Sequence, residues 1–181
     1  DVIGLANAGQ DTVNAIKQAN QFRIVQSGQK LAGMLVFLTD VHSMGLDIAQ
    51  GLQFTTAFVW NQNEETKAWS NRFNERHGAM PTMVQAGVYS AVTNYLKAVE
   101  ETGTDDSDTV RAKLGEMTLN DMFVKGGKIA PNGSMLHDMY LVEVKKPSES
   151  KSEWDLLNVI SKIPADQAYI SMADTKCSLV N

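Results

Sequence analysis

Residues 2–11 read Val2-Ile3-Gly4-Leu5-Ala6-Asn7-Ala8-Gly9-Gln10-Asp11, a short apolar run that meets polar and turn-forming residues. Val13, Ile16 and Ala19 then recur at helical spacing, so this part of the chain predicts a strand, a turn and a helix. Within the turn, Gln10 or Asp11 stands where a helix N-cap is expected. The stretch therefore predicts the first βα unit of an α/β fold.

The next segments extend the same pattern. Residues 31–38 have no polar side chain, which is typical of a strand buried between two layers of helices in a parallel sheet. A short helix is predicted over residues 43–50, a third strand over 52–59, and helices after Asn63 and after the capping pair Thr82 and Gln85. From residue 118 onward, turn signals and the apolar runs 139–144 and 156–163 predict strands. Three parallel strands are few for an open sheet of this type, so further strands are expected outside this chain.

Composition limits the classes of function. The 181 residues include 16 basic and 21 acidic side chains, and neither sign forms a long run that would bind a polyanion. Nucleic acid is therefore not an expected partner. The longest apolar run has eight residues, far below the roughly 20 that cross a bilayer as a helix, so the sequence predicts a soluble protein.

The sequence carries no pattern typical of catalysis. The three histidines are scattered without metal-ligand spacing, and there is no phosphate-binding loop or nucleophile elbow. Asp40 and His42 could be imagined as an acid–base couple, but the sequence indicates no nucleophile. We therefore expect no enzyme activity, no metal and no cofactor.

Two segments follow predicted strands with small or polar residues. Asn7, Ala8 and Gly9 follow the first strand, and Thr39, Asp40, Val41 and His42 follow the second. Carboxyl ends of parallel strands meet at one edge of the sheet, where open α/β proteins bind ligands. The seven residues are therefore predicted to form a small-molecule site. For Asn7 and Asp40, stabilisation of a turn is an equally good interpretation.

Three segments together resemble a known family. Residues 1–12, 31–42 and 80–91 resemble, in order and spacing, the substrate-binding proteins of branched-chain amino acid (Liv) type ABC transporters. The resemblance implies the C-terminal half of a bilobed type I periplasmic binding protein, with the N-terminal half missing. Residues 1–58 would then complete the second lobe, and 59–122 would return helices to the first lobe. Residues 123–181 would supply a crossing strand, a hairpin and the C-terminal tail.

The same resemblance implies a function. Such proteins are periplasmic, bind a small solute in the cleft between two lobes, and deliver it to an ABC permease in the inner membrane. Asn7, Ala8 and Gly9 match a ligand-contact segment, and residues 39–42 match a segment that often supplies an acid to a ligand amino group. Family members that bind amino acids tend to have a larger aromatic residue near Ala8, so the sequence predicts a bulkier ligand, such as an aromatic carboxylate. Relatives often have a cysteine near the position of Cys177 that is paired with one in the first half.

Two other functions remain open at this stage. The same fold could be a ligand-sensing domain fused to a signalling or transcriptional module. An α/β hydrolase or transferase would need its nucleophile or phosphate loop in the missing part. Without the resemblance, Cys177 could equally be a thiol with no role.

Overall fold

The computed structural model describes residues 1–176 and 178. The first part of the chain alternates strands and helices, as the hydrophobic pattern predicts. Its elements are β1 (Val2–Leu5), α1 (Gly9–Gln21), β2 (Lys30–Gly33), α2 (Leu38–Met44), α3 (Leu46–Ala49) and β3 (Gln53–Thr56). Cys177, for which the sequence left a disulfide open, lies outside the described residues.

The middle of the chain is helical and the last part is mostly strand. The helices are α4 (Glu64–His77), α5 (Met83–Thr102) and α6 (Ser107–Glu116), followed by β4 (Leu119–Asn120), β5 (Lys125–Ile129) and β6 (Met135–Leu136). The remaining elements are β7 (Met139–Val144), a 3-10 turn at Pro147–Glu149, β8 (Leu157–Ile163) and α7 (Ala165–Ala168). The predicted strands at 139–144 and 156–163 are thus confirmed almost to the residue.

The described strands form two sheets. The larger sheet has the order β1-β2-β3-β7-β8, with β1, β2 and β3 parallel and with β7 and β8 antiparallel to their neighbours. The prediction of a parallel sheet therefore holds for its first three strands only, because the chain returns from the middle segment in the reverse direction. The smaller sheet is antiparallel, with the order β4-β5-β6.

One face of the larger sheet carries the main core. Ile16 from α1, Val41 from α2, and Phe54 and Val142 from the sheet are all buried there. The opposite face is not covered in the same way, since Val2 of β1 is 66% exposed. A second, smaller cluster around Phe58, Trp69 and Ala86 joins α4 and α5 to the segment that follows β3. None of the described helices is both long and apolar enough to span a membrane.

The predicted second strand is too long. The structure ends β2 at Gly33, and Leu38 already begins α2. The turn comes early because Val36 folds back on Gly33: a Cβ atom at Gly33 would lie 2.4 Å from a methyl carbon of Val36. The N-cap prediction for α1 is also wrong, since the helix begins at Gly9 with Ala8 as its N-cap.

A buried ion pair fixes the long loop between β7 and β8. Lys145 Nζ lies 2.6 Å from Asp155 Oδ1, and both side chains are nearly buried. Asp155 also accepts hydrogen bonds from the Lys151 N–H and the Asn61 amide. The indole N–H of Trp60 donates to the carbonyl oxygen of Trp154. The loop is therefore tied to residues 60 and 61, where the chain leaves the larger sheet.

The surroundings of Asp155 predict a pH dependence. Burial alone would raise the pKa of Asp155, but its bonds with Lys145, Lys151 and Asn61 outweigh this and lower the pKa below its ordinary value of 3.8. A carboxyl group with a lowered folded-state pKa stabilises the fold above its unfolded pKa, and this contribution disappears as the pH falls through the folded pKa. We expect the free energy of unfolding, measured by urea titration between pH 6 and pH 2, to fall less steeply in Asp155→Asn. Parallel pH profiles for the two proteins would contradict this assignment.

Candidate ligand-binding site

The carboxyl ends of β1 and β2 lie side by side. The N–H of Met34 donates to the carbonyl oxygen of Leu5 over 3.0 Å, which continues the parallel pairing one residue beyond β2. Asn7, Ala8 and Gly9 therefore emerge next to Met34 and Leu35. The structure thus places the first predicted segment at the expected edge of the sheet.

Of the predicted site residues after β1, Asn7 stabilises the turn, whereas Ala8 and Gly9 are exposed to solvent. Asn7 Oδ1 accepts a hydrogen bond of 2.8 Å from the buried Thr12 hydroxyl, which ties the turn to α1. This is the turn-stabilising role that the sequence left open for Asn7. Ala8 and Gly9 are exposed, and Ala8 provides no side-chain cap for α1. The first N–H groups of this 13-residue helix are therefore left for solvent or another acceptor.

The second predicted segment is not a strand end. Thr39, Asp40, Val41 and His42 all lie in α2, which leads the chain from the carboxyl end of β2 back towards the start of β3. Asp40 Oδ2 accepts from the N–H of Phe37 over 2.9 Å and so caps its own helix. Of the four residues, only Thr39 and Asp40, in the first turn of α2, therefore lie close to the carboxyl ends of β1 and β2.

The other two residues of that segment face elsewhere. Val41 is fully buried in the core. The His42 ring stacks on Trp154 with centroids 3.9 Å apart, and His42 Nε2 lies 3.0 Å from Glu153 Oε1. Both contacts belong to the loop between β7 and β8. His42 is therefore held against that loop and not against Asn7 and Ala8.

Sequence reasoning missed the residues that follow β2. Met34 is 68% exposed and Leu35 is 41% exposed, at the edge where Ala8 and Gly9 emerge. The sequence predicts both within the interior of a strand, because they lie in an unbroken apolar run. The signal that could have found them is Gly33, since a glycine inside a strand pattern often marks a bend or a close approach of the backbone.

The edge combines apolar side chains with hydrogen-bond donors. Ala8, Met34 and Leu35 are exposed apolar residues that follow the carboxyl ends of β1 and β2, and the Met34 side chain reaches Gly4 of β1, while the uncapped N–H groups of α1 and the Asn7 amide offer hydrogen-bond donors. A small ligand with an apolar body and an acceptor group suits such a surface. Within residues 1–176, no three histidine, cysteine, aspartate or glutamate side chains come close enough together to hold a metal ion.

A second exposed surface lies on α5. The buried side of this helix is made of small or polar residues, among them Ala86, Ser90 and Asn94. The Ser90 hydroxyl and the Asn94 amide both donate to Asp121 Oδ2, which fastens α5 to the turn between β4 and β5. The more apolar face of the helix points the other way and is exposed. We call it the α5 apolar face; its most exposed members are Val84, Val88, Val92, Tyr95 and Leu96.

Comparison with known proteins identifies the fold. The family model for periplasmic binding protein matches residues 1–151. A periplasmic binding protein from Burkholderia mallei is 48% identical, with a TM-score of 0.92, and the match covers 98% of this chain and 47% of that one. A branched chain amino acid ABC transporter periplasmic ligand-binding protein from Burkholderia xenovorans is 38% identical, with a TM-score of 0.91, over 99% and 48% of the two chains.

More distant similarities add the fold alone. A solute binding protein of an ABC transporter from Rhodopseudomonas palustris, in complex with p-hydroxybenzoic acid, is 23% identical with a TM-score of 0.74, over 91% of this chain and 45% of that one. No curated protein matches the chain. The chain thus spans about half the length of the solved structures that it resembles.

Proposed function

Because the chain belongs to the periplasmic binding protein family, we propose that it forms part of the solute-binding receptor of an ABC importer. The receptor works in the periplasm, holds a small organic acid in a cleft, and delivers it to a permease in the inner membrane. It performs no chemistry on the ligand. The ligand is an aromatic carboxylate or an amino acid.

The observation that carries this proposal is the edge formed by Asn7, Ala8, Gly9, Met34 and Leu35. It has exposed apolar side chains after β2, and helix N–H groups after β1 that no side chain caps. An apolar wall with a few hydrogen-bond donors is the usual construction of a small-molecule site. The Burkholderia xenovorans relative, described as an ABC transporter ligand-binding protein, supports transport as the purpose of binding.

The roles of the individual residues follow from their positions. We propose that Ala8, Met34 and Leu35 contact the apolar body of the ligand, and that Asn7 and Gly9 shape the turn beside it. Thr39 and Asp40 remain candidates because they lie in the first turn of α2. We leave Val41 and His42 out of the ligand contacts, because one is buried and the other is stacked on Trp154.

We further propose that a second half of the same protein completes the cleft. Two features support this: the α5 apolar face is exposed, and β1 has a strand neighbour on only one side among the described residues. A sheet added beside β1 would give this strand a second neighbour, and a layer packed on α5 would cover the α5 apolar face. We refer to the resulting molecule as the two-lobed protein.

Calorimetric titration of the two-lobed protein tests the function. The titrants are p-hydroxybenzoate, benzoate, leucine and phenylalanine, because these separate an aromatic carboxylate from an α-amino acid. We expect saturable binding of one ligand per protein for at least one titrant. If neither these compounds nor other small carboxylates bind, the chain is not part of a receptor for organic acids.

Leu35→Asp tests the position of the site. We expect affinity for a carboxylate ligand to fall by about tenfold or more, because the new charge repels the ligand and replaces an apolar contact; tenfold corresponds to about 1.4 kcal/mol. Ile160→Asp is the matched control. Ile160 has a similar exposure of 48%, but it lies on β8, the strand of the larger sheet farthest from β1. Equal affinities of the two variants for the ligand would remove Leu35 from the site.

A further inference from the structure

Four aromatic rings form a row where the chain passes between the two sheets. Residues 57–63 lead from β3 to α4, and residues 137–138 lead from β6 back to β7. Ring centroids lie 6.2 Å apart for Phe58 and Phe123 and 5.1 Å apart for Phe123 and His137. The ring of Tyr169 follows, 5.4 Å from that of His137. All three distances are typical of favourable aromatic pairs. We call these four residues the crossing row.

The inner end of the crossing row is packed among the helices. Phe58 is buried and meets the ring of Trp69 of α4 edge-on, with centroids 5.8 Å apart. A Cβ atom at Gly87 of α5 would lie 3.8 Å from the tip of the Phe123 ring, so this ring packs against α5. The Phe123 N–H also donates to Asp121 Oδ1 over 2.8 Å. Phe58 and Phe123 are therefore fixed to α4, α5 and the turn between β4 and β5.

The outer end of the row belongs to the segment after β8. Tyr169 follows α7, and its hydroxyl lies 2.5 Å from His137 Nε2. His137 Nδ1 lies 2.8 Å from the carbonyl oxygen of Asp138, which can only accept a hydrogen bond. In the neutral ring Nδ1 therefore donates, and Nε2 accepts from the Tyr169 hydroxyl. The Ala165 N–H donates to Asp138 Oδ1 over 3.2 Å. The segment is thus tied to the crossing at two points.

The segment after β8 has no buried side chain among its described residues. Residues 164–176 are all exposed or half-buried. A segment with so little buried surface opens locally at a small cost in free energy, so single hydrogen bonds decide how firmly it stays attached. Partial burial raises the pKa of Tyr169, so its hydroxyl keeps the proton that it donates near neutral pH. The Tyr169–His137 bond is therefore the contact that joins this segment to the crossing row.

We propose that the Tyr169–His137 hydrogen bond is a latch that limits rotation of the smaller sheet against the larger one. Phe123 moves with the smaller sheet, whereas Tyr169 is attached to the end of β8 in the larger sheet. His137 lies between these two rings, on one of the crossings that such a rotation must bend. With the latch closed, the His137 ring is held on both sides. With the latch open, its Tyr169 side is free. The latch lies within this chain, so it does not depend on the proposed transport function.

Tyr169→Phe opens the latch and keeps the aromatic ring. Residual dipolar couplings of the backbone amides, measured by NMR on this chain, report the orientation of each sheet separately. We expect one alignment tensor to fit both sheets in the unchanged chain and two different tensors to be needed in the variant. Exchange of the Ala165 amide with solvent is expected to rise by about fivefold, as for the loss of one hydrogen bond. The midpoint of urea unfolding should stay nearly unchanged, because no buried apolar group is removed.

Two further variants make the experiment specific. Tyr140→Phe is the matched control, because it removes the same hydroxyl group from β7, outside the crossing row. One tensor should still fit both of its sheets. His137→Phe removes the acceptor, keeps a ring beside Phe123, and should reproduce the effect of Tyr169→Phe. Combining the two should give no further change, since both remove the same bond.

Three results would overturn the latch. One is a single tensor for both sheets in Tyr169→Phe and His137→Phe. Another is faster exchange at Ala165 with no change in the orientation of the sheets, because the bond would then hold the segment alone. The third is an equal effect of Tyr140→Phe and Tyr169→Phe on the orientation of the sheets.

Discussion

Replacing Lys145 by alanine is expected to lower the free energy of unfolding of the chain by about 3–5 kcal/mol, because it leaves Asp155 buried without its cationic partner. The two side chains are only 13% and 11% exposed, so water replaces the lost ammonium group poorly. The loop between β7 and β8 would also lose the anchor that holds Trp154 against Trp60. Urea unfolding followed by tryptophan fluorescence measures the change.

Lys125→Ala is the matched control for this experiment. Lys125 and Glu65 are 2.7 Å apart, almost the same separation as Lys145 and Asp155, but their side chains are 64% and 50% exposed. An exposed pair of this kind contributes under about 1 kcal/mol. A loss of similar size in both variants would mean that burial does not distinguish the two pairs.

Replacing Val88 by aspartate is expected to have little effect on this chain alone but to destabilise the two-lobed protein strongly. Val88 is 59% exposed in this chain, so the substitution should change the free energy of unfolding by no more than about 0.5 kcal/mol here. In the two-lobed protein we propose that the α5 apolar face packs on the second half. A buried, unpaired carboxylate there should cost several kcal/mol, and soluble yield or melting temperature should fall sharply.

The control for Val88→Asp is Glu100→Ala on the same helix. Glu100 is exposed and lies outside the α5 apolar face, so this variant should have little effect on the melting temperature in either context. If Val88→Asp is as harmless in the two-lobed protein as it is in the chain alone, the second half does not cover this face. The proposal for the completed cleft would then lose one of its two supports.

The sequence predicted the order of the elements because most of them have strong local signals. Asn63 and Thr82 cap α4 and α5 as expected, since each side chain accepts a backbone N–H at the start of its helix. The runs that became β7 and β8 are bounded by turn residues on both sides. The position of each strand in the sheet was harder to predict, because β3 pairs with β7, which lies far from it in the sequence.

The candidate site was predicted in part. Asn7, Ala8 and Gly9 lie where the pattern placed them, because a glycine and an amide after an apolar run mark the end of a strand. The second segment was misplaced because an unbroken apolar run gives no periodicity from which to locate its end. The close contact between Gly33 and Val36 sets that end, and it exists only in three dimensions. For the same reason, the sequence did not predict Met34 and Leu35 as exposed residues near the site.

The pairing of Thr56 with Tyr140 also affects how the chain folds while it is being synthesised. β1, β2 and β3 leave the ribosome before the rest of this chain and can pair with one another at once. The free edge of β3 must then wait until the whole of residues 57–138 has been made before β7 can cover it. An uncovered strand edge is a site of wrong pairing with other chains. Early folding of α4, α5 and the small sheet would prevent any further delay after synthesis, because it brings the start of β7 back beside β3.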